Sequence, residues 1–442
     1  MKFILYLFTY ITRVMIFITK LFGGGGTALP GLWIERYFPF IIREYSSCYD
    51  EIVLITGTNG KTTTQLLLKH ILSKSGLEVV GNASGSNMFR GIAATLVSKG
   101  MMSKSRENRR VLILEVEEGT MPKIAPYLQA TRVIVTNFFR DQLDAYGEIY
   151  KTVEYINSAL KYWPKAHLYI NADDPKVSKA VSDLPNRMKS FSLSGGSSDF
   201  LYEQEDASTN KRQIDLTTKS FDLEDDFRSN ICLRMKEIGT NSYKEFEIRS
   251  ALLGSYNIYN LMGVLLVVTD LGITIDQFQK YLNDFKSPFG RGEIVKLNEA
   301  NKGVSFRIFL VKNPAGISQV WKMVRQKINT SIFMIALNDN VADGRDVSWI
   351  WDFKPEKLSG EDMSSNMLIT GTRAYDMAIR MQYAGFFIKK ENVYPDLSEC
   401  LEKCIAKSKN TQNKEVIVLS TYTAMNDIRS KLSKYTTIEK FA

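Results

Sequence analysis

The residues with the most specific chemistry lie in the stretch ITGTNGKTTT, residues 55–64. An apolar segment precedes it and a helix-like segment, 65–74, follows it, which predicts a strand, a tight loop and a helix. Loop amides and the positive end of the helix can surround a polyphosphate, with Lys61 as a point charge and a threonine hydroxyl left for Mg²⁺. The general phosphate-loop spacing needs glycine at position 55, where isoleucine stands, so this loop is a shorter variant.

The elements around this loop repeat in the order strand, loop, helix. Continuous apolar strands that alternate with helices are typical of a parallel sheet covered on both faces. The stretch from about 195 to 250 is polar and breaks this rhythm, and we interpret it as an insertion or a small β-element on the surface. The predicted strands of this first unit cover residues 52–56, 77–81, 111–116, 132–138 and 167–173, and its helices include 148–163, 257–272 and 274–285.

A second alternation of strands and helices follows the segment SPFGRGE, 287–293, which we interpret as a hinge. The sequence therefore predicts an α/β protein with two doubly wound domains, 41–292 and 293–442, after an apolar helix and linker over 1–40. A ligand is expected between two such domains. The predicted strands of the second domain cover 304–313, 331–339, 367–372 and 415–422, and its helices cover 316–328 and 373–385.

The composition is that of an ordinary globular protein, with 44% apolar and 24% charged residues. A net charge of +9 suits an anionic partner, and nucleic acid, an anionic membrane surface and a phosphorylated substrate all satisfy it. The four cysteines form no disulfide framework, and Cys400 and Cys404 are interpreted as apolar helix residues. Because the chain has two histidines, a zinc site is not expected.

The first 22 residues predict an apolar helix that the glycines at 23–26 end. It lacks a small-residue cleavage site, so we do not expect a signal peptide. A narrow polar stripe leaves a wide apolar face, and three placements stay open: a membrane interface, the protein's own surface and a transmembrane span. The stripe consists of Lys2, Thr9, Thr12, Arg13 and Lys20.

Five further motifs follow the loop in order: LEVEEG (114–119), TNFFRDQLDAYGE (136–148), NADDP (171–175), GSYNIYN (254–260) and GRGE (290–293). Together with TGTNGKTTT, this series resembles the Mur ligase superfamily. The resemblance implies a central ATP-binding domain over 41–292, with ATP and Mg²⁺ as cofactors. Nucleic acid is then not the expected partner.

The second domain resembles the MurT branch of that superfamily, the ATP-dependent subunits of lipid II isoglutaminyl synthases. The resemblance rests on LVKNPAGISQV (310–320) and LNDNVADGRDVSWIWD (337–352). It implies amidation of the α-carboxylate of D-glutamate in the lipid II stem peptide, through an acyl phosphate. Ammonia would come from a GatD-type glutaminase partner in a heterodimer. A substrate in the inner leaflet favours the interfacial placement of the N-terminal helix, and a cytoplasmic enzyme.

The resemblance also implies which residues contact ATP. Lys61 and Glu115 are expected to act in catalysis as well. The turn of NADDP and the helix start of GSYNIYN offer structural alternatives, namely an Asx turn and a helix cap, and the hinge arginine could instead form an ion pair. The expected ATP contacts are Gly57, Thr58, Asn59, Gly60, Lys61, Thr62, Thr63, Asn137, Asn171, Asp173, Asn257, Asn260 and Arg291.

Three oxygen-bearing residues are expected around Mg²⁺. Thr62 offers its hydroxyl, and Glu115 emerges at the end of a predicted strand beside the loop. Gln142 stands where other Mur ligases carry a histidine, so this third ligand departs from the family pattern. Glu117 or Glu118 could replace Glu115.

Asp346 is, by resemblance, the acid that this chain lends to a Cys–His pair in the glutaminase partner. A surface ion pair or a helix cap is the structural alternative, and Asp343 and Asp352 are competing carboxylates. The aromatic run 349–351 beside it is a candidate partner surface. Cys48 lies in no context typical of a glutaminase nucleophile, so ammonia must come from another source.

One departure from the MurT pattern concerns zinc. Members of that branch often carry a four-cysteine zinc ribbon in the central domain, whereas residues 195–250 here contain only Cys232. A substrate different from that of other members of the branch therefore stays an open alternative. Two other functions also stay open: another Mur-type amide ligase, either folylpolyglutamate-synthase-like or amino-acid-adding, and a non-catalytic ATP-binding scaffold for a glutaminase.

Overall fold

A computed structural model of the chain divides into two compact units, residues 1–251 with 256–286, and residues 252–255 with 287–442. The sheets place the strands on either side of the same division. The domain limits of the sequence analysis stay predictions. The structure describes residues 2–21, 26–83, 85–100, 109–138, 149–193, 214–223, 229–237, 239–240, 242–252, 254–285, 290–301, 303–328, 330–355, 366–410 and 414–438.

The first unit is built on a nine-stranded sheet in the order β2-β3-β1-β4-β5-β6-β7-β8-β9. Neighbours from β2 to β7 run parallel, and β7, β8 and β9 run antiparallel. The strands are β1 Glu51–Thr56, β2 Glu78–Gly81, β3 Arg110–Glu115, β4 Arg132–Val135, β5 His167–Asn171, β6 Met188–Leu193, β7 Leu216–Leu223, β8 Ser229–Lys236 and β9 Tyr243–Ser250.

Helices cover the parallel part of this sheet. They are α1 Lys2–Leu21, α2 Ala28–Tyr37, α3 Ile41–Ser46, α4 Lys61–Lys74, α5 Phe89–Lys99, α6 Met121–Ile124, α7 Ile149–Leu160, α8 Pro175–Ala180, α9 Ser255–Asp270 and α10 Ile275–Asn283. The central strands are apolar and buried on both faces, which explains why continuous hydrophobic runs predicted them. The predicted α/β fold class is confirmed.

The position of β1 determines where a ligand can bind. The chain first builds β3 and β2 on one side of β1 and then β4 and β5 on the other side. At such a switch point the two neighbouring loops diverge and leave a crevice at the carboxyl ends of the strands. The loop after β1 opens at this crevice.

The polar stretch after β6 forms a β-element, one of the two interpretations of its sequence. Strands β7 to β9 continue the main sheet instead of forming a separate layer. Burial alternates along β8, as expected for strands with one face on the core.

The second unit has a six-stranded sheet in the order β10-β11-β15-β12-β13-β14, in which only β10 is antiparallel to its neighbour. Its strands are β10 Arg291–Lys296, β11 Ser305–Leu310, β12 Ile332–Ala336, β13 Met367–Thr370, β14 Val393–Tyr394 and β15 Glu415–Ser420. Its helices are α11 Pro314–Val324, α12 Ala374–Tyr383, α13 Leu397–Ser408 and α14 Tyr422–Leu432. Cys400 and Cys404 lie on the buried side of α13, in the core of this unit, as apolar helix residues would.

The segment interpreted as a hinge, 287–293, directly follows the division between the two units, and its last three residues lie in strand β10. Arg291 begins strand β10 and pairs with Phe309 of β11, and Glu293 pairs with Ile308. The two glycines suggested a flexible loop, but Gly290 and Gly292 adopt positive φ at a strand edge with an irregular register.

Candidate functional site

Glycines give the loop after β1 a shape that other residues would strain. Gly57 and Gly60 have φ of +125° and +92°. A Cβ on Gly57 would lie 2.2 Å from the Thr136 hydroxyl, and one on Gly60 would lie 2.2 Å from Asn260 Oδ1. Helix α4 starts directly after Gly60, at Lys61, so its N-terminal amides lie beside the loop.

The end of β4 holds this loop in place. Thr58 N donates to the carbonyl of Asn137 at 2.8 Å, and Asn59 N donates to Asn137 Oδ1 at 2.9 Å. Asn137 Nδ2 and the Thr136 hydroxyl donate back to the carbonyl of Asn59, at 3.0 and 2.8 Å. The Asn137 amide therefore buttresses the loop. Its predicted contact with ATP stays a prediction.

Lys61 is buried, and its ammonium bridges the loop and the acidic end of β3. It donates to the Gly57 carbonyl at 2.6 Å and lies 3.5 Å from Glu117 and 3.3 Å from Glu118. Burial by itself raises the pKa of Glu118, but the Lys61 ammonium and nearby hydrogen bonds outweigh it and hold the pKa below its usual range. Lys61 of the loop thus forms a buried ion pair with Glu118, and a bound phosphate group would compete with this carboxylate for the ammonium.

Thr62 and Glu115 lie together at the start of α4 and the end of β3. The Thr62 hydroxyl donates to Glu115 Oε2 at 2.9 Å. Glu115 Oε1 accepts from Asn87 Nδ2 at 3.3 Å, and Asn82 Oδ1 accepts from the Glu115 amide at 2.9 Å. Of the three candidate carboxylates, Glu115 contacts the threonine, whereas Glu117 and Glu118 face Lys61.

The acidic surplus at this site fits a divalent cation. Two carboxylates, Glu117 and Glu118, pair with Lys61. The adjacent Thr62 hydroxyl and Glu115 carboxylate are oxygen ligands of the kind Mg²⁺ prefers. Mg²⁺ usually takes one or two protein ligands and completes its shell with phosphates and water. The described residues contain no group of three or more His, Cys, Asp and Glu side chains that could hold a metal ion.

Gln142, the third expected Mg²⁺ ligand, lies outside the described residues. The other site residues expected in the first unit lie among the described residues. Asn257 and Asn260 are buried at the start of α9, where Asn260 Nδ2 donates to Asn257 Oδ1 at 3.0 Å. Asn260 thereby adjoins Gly60. The structure brings this predicted residue to the loop from 200 positions further along the chain.

The NADDP motif forms the Asx turn that its sequence allowed. Asn171 Oδ1 accepts from the Asp173 amide at 3.1 Å. The Asp173 carboxylate accepts from Ser192 Oγ at 2.5 Å, from the Leu193 amide at 2.7 Å and from Tyr259 OH at 2.7 Å. It thus joins β6 and α9 beside the loop, a structural role that leaves its predicted contact with ATP untested.

Asp174, which the sequence analysis did not select as a site residue, caps the start of α8 and also binds the backbone that follows β4. Its carboxylate accepts from the amides of Phe138, Lys176 and Val177 at 2.7, 2.9 and 3.2 Å. Burial raises its pKa to about 6, and the three donors oppose that rise. The aspartate before proline, at the start of a helix, was the sequence signal that could have identified it.

The residues expected in the second unit are spread over different elements. Arg291 begins β10 and is half-buried. Asp346 is exposed, and its carboxylate accepts from the Ser348 amide at 2.8 Å. Asp343 is buried and accepts from both the amide and the hydroxyl of Thr423, at 2.7 and 2.5 Å. Of the three candidates for the lent acid, Asp346 and Asp352 are exposed, whereas Asp343 is engaged inside the fold.

The aromatic run beside Asp346 is partly exposed. Ile350 is buried, whereas Trp351 is 48% exposed and stacks edge-on with Tyr383 of α12, with centroids 5.5 Å apart. Arg380 donates to the carbonyls of Ile350 and Phe353 and so fixes the segment to α12. The run is held in place with one large ring displayed.

Comparison with known proteins finds a family match in each of the two units. A family model described as Mur ligase middle domain matches residues 55–268, and one described as MurT ligase C-terminal matches residues 310–425. Both units therefore match the Mur ligase superfamily, and the second unit matches its MurT branch. The sequence resemblance to this branch is confirmed.

Two curated MurT proteins align with most of the chain. It is 28% identical over 436 residues to the lipid II isoglutaminyl synthase (glutamine-hydrolyzing) subunit MurT of Streptococcus pneumoniae, which covers 94% of each chain. It is also 28% identical over 389 residues to the same subunit of Staphylococcus aureus, covering 82% of this chain and 84% of that one.

Solved structures of Mur ligases share the fold of this chain. MurF from Acinetobacter baumannii superimposes with a TM-score of 0.67 at 15% identity, covering 92% of this chain and 81% of that one. MurF from Thermotoga maritima in complex with ADP gives 0.62 at 15% identity, covering 92% and 85%.

Proposed function

We propose that this chain is the ATP-dependent subunit of a lipid II isoglutaminyl synthase, which amidates the α-carboxylate of D-glutamate in the lipid II stem peptide. The observation that carries this proposal is the joint presence of the Lys61 loop with its Thr62–Glu115 pair and of a MurT-type C-terminal match. The loop supplies phosphate chemistry, and the C-terminal match selects the branch. The MurT names of the relatives support the same substrate.

The chemistry requires that the carboxylate be activated, because its oxygen is a poor leaving group. Transfer of the γ-phosphoryl group of ATP to the carboxylate forms an acyl phosphate and releases ADP. Ammonia then attacks the acyl carbon, the carbon–oxygen bond to phosphate breaks, and one proton of ammonia leaves with the phosphate. The products are the amide and inorganic phosphate, so atoms and charges balance without a redox partner.

The residues around the loop have distinct roles in this proposal. Lys61 offers positive charge to the transferred phosphoryl group, and the amides of α4 and the loop bind the remaining phosphates. Thr62 and Glu115 would hold Mg²⁺, which neutralises phosphate charge when bound. Asn137, Asn260 and Asp173 hold the loop, α9 and β6 in the positions that this arrangement needs.

Ammonia would come from a separate glutaminase subunit of the GatD type. Free ammonia is mostly protonated at neutral pH and then not nucleophilic, so release beside the acyl phosphate is chemically favourable. We propose that Asp346 orients the histidine of that partner's Cys–His pair, the role that the resemblance to the MurT branch implies for it. Its exposure supports this role over Asp343, which Thr423 engages, and leaves the exposed Asp352 as the competing carboxylate. The complex would work at the cytoplasmic side of the membrane, where ATP and the lipid-linked substrate meet.

A turnover assay separates this proposal from the alternatives. The chain is purified with a co-expressed glutaminase, and ATP hydrolysis and amide formation are measured with lipid II and glutamine. We expect equal amounts of ADP and amide, both dependent on lipid II and on glutamine. An amino acid as the required nitrogen source would indicate another Mur-type ligase, and nucleotide binding without turnover would indicate a scaffold.

A further inference from the structure

Helix α1 contacts the rest of the first unit through its polar stripe. Thr9 and Thr12 are buried, and the Thr9 hydroxyl lies 3.0 Å from the hydroxyl of Tyr45. Arg13 Nε donates to the carbonyl of Ser98 at 2.6 Å. An amphipathic helix on a globular protein ordinarily buries its apolar side. In α1 most of that side is turned outward instead.

The outward side of α1 is apolar along its length. Phe3, Tyr10 and Phe17 are 80%, 69% and 64% exposed. Their spacing of seven residues places the three rings on one side of the helix, two turns apart. Other exposed apolar side chains of α1 are Ile4, Tyr6, Leu7, Val14, Ile18 and Leu21.

Helix α2 extends this apolar surface. The rings of Phe8, Trp33 and Phe38 join the two helices in one cluster, with centroids 4.9 to 5.3 Å apart. Exposed apolar side chains in and directly after α2 are Leu29, Leu32, Tyr37 and Phe40. These exposed residues of the two helices are called the α1–α2 face below.

Positive charge is concentrated in the same part of the chain. Residues 1–43 contain five basic residues and one acidic residue, a balance of +4, compared with +9 for all 442 residues. The acidic residue, Glu35, accepts from Arg90 at 2.7 Å. Arg13, Arg36 and Arg43 are exposed. An aromatic apolar face flanked by cations is typical of helices that lie in the interface of anionic membranes.

We propose that the α1–α2 face binds an anionic lipid bilayer by inserting its apolar side chains into the interfacial layer. Within the described residues no helix is long and apolar enough to span a membrane, so α1 would lie in the plane of the bilayer. The tyrosines place apolar rings below the lipid headgroups and their hydroxyls among them. This inference rests on the proposed function in one respect: a lipid-linked substrate explains why the enzyme would bind a membrane.

Vesicle cosedimentation of the full chain tests this inference. Vesicles of phosphatidylglycerol and phosphatidylcholine are used without lipid II or nucleotide, so the result does not depend on amidation. The chain should bind these vesicles and bind much more weakly to vesicles of phosphatidylcholine alone. The double variant Tyr10→Ser with Phe17→Ser should lose at least about tenfold in apparent lipid affinity, since both exposed rings leave the face.

The matched control is Tyr375→Ser with Tyr383→Ser, which removes two rings of α12 that are 58% and 78% exposed. This control should bind vesicles like the unchanged chain. Equal lipid binding by the folded Tyr10/Phe17 variant and the unchanged chain would overturn the inference, as would failure of the unchanged chain to bind anionic vesicles. Self-association of the chain that this variant abolishes, without vesicle binding, would also overturn it and assign the face to a protein contact.

Discussion

The loop after β1 and the segment after β12 both follow buried parallel strands, yet they present their charges differently. In the first region Lys61 and Glu118 are buried, and the contacts join segments that are far apart in the sequence. In the second region Asp346 is exposed and accepts a hydrogen bond from the Ser348 amide, two residues away. Asp343, three residues earlier, is buried and bonded to Thr423.

This difference indicates how the two regions could serve one reaction. The first region holds its cation, its carboxylates and its helix terminus in fixed positions. A site that binds phosphates within a single chain needs such fixed positions. The second region has an exposed acid, Asp346, near an exposed tryptophan in the sequence. Exposure is what a residue needs if it acts on a group from another protein. Variants in the first region should therefore affect every reaction of the enzyme, and variants of Asp346 only the reaction that needs the partner.

The largest effect is expected for Lys61→Met. Removal of the ammonium leaves the transferred phosphoryl group without its fixed positive charge, so amide formation should fall about a thousandfold with either glutamine or ammonium salts as nitrogen source. Lys74→Met is the matched control, because Lys74 ends the same helix in an exposed pair with Asp284. Amidation that survives in the folded Lys61 variant would contradict the assignment of this loop.

Asp346→Asn should separate the two regions. Glutamine-dependent amidation is expected to fall about a hundredfold, since the neutral amide orients a histidine in the wrong tautomer, whereas amidation with a high concentration of ammonium salts stays unchanged. Asp352→Asn, which changes the other exposed candidate for the lent acid, is measured beside it and should keep glutamine-dependent amidation. A loss confined to the Asp352 variant would assign the role to that residue. Equal losses with both nitrogen sources would place Asp346 in the synthetase reaction instead.

Gly60→Ala tests whether the shape of the loop is needed. The new Cβ would meet Asn260 Oδ1 at 2.2 Å, so either the loop or α9 must move, and ATP affinity should fall about 30-fold. Gly76→Ala has a similar positive φ of +89° but no described atom within 4 Å of its Cβ. A calorimetric titration of both variants with ATP isolates the steric effect; equal affinities would show that the loop tolerates the shift.

A smaller effect is expected for Thr62→Val, which removes the hydroxyl beside Glu115 and keeps the side-chain shape. The Mg²⁺ concentration that supports half-maximal amidation should rise about tenfold. Thr64→Val is the control, because the Thr64 hydroxyl is buried and has no hydrogen-bond partner among the described residues. An unchanged Mg²⁺ requirement in the Thr62 variant would remove this residue from the metal site.

The sequence predicts the strands and the loop well because both depend on local patterns. Strand β1 begins at Glu51, one residue before its prediction, and ends at Thr56 as predicted. Glycine patterns mislead at 290–293, since glycine marks both flexible loops and irregular strand edges. The sequence also predicts the polar stripe of α1. It does not predict that the stripe faces inward, because this depends on the contact between the hydroxyls of Thr9 and Tyr45, which are 36 residues apart.

The candidate site shows the same limit. Its motif residues were selected one by one, but contacts such as Asn260 with Gly60 and Asn82 with Glu115 come from segments that only the folded sheet brings together. Asn82 follows a strand outside any quoted motif, and a polar residue at a strand's carboxyl end was the only signal for it. Local patterns therefore predict the parts of the site, and the fold decides which parts meet.

The proposed acyl phosphate is tested most directly by the fate of the carboxylate oxygen. Lipid II labelled with ¹⁸O in the α-carboxylate of D-glutamate is amidated by the complex with ATP and glutamine, and the released phosphate is analysed by mass spectrometry. The account predicts one ¹⁸O atom in each phosphate released, because the carboxylate oxygen that attacks the γ-phosphoryl group leaves with it. Amide formed together with unlabelled phosphate would contradict the central claim.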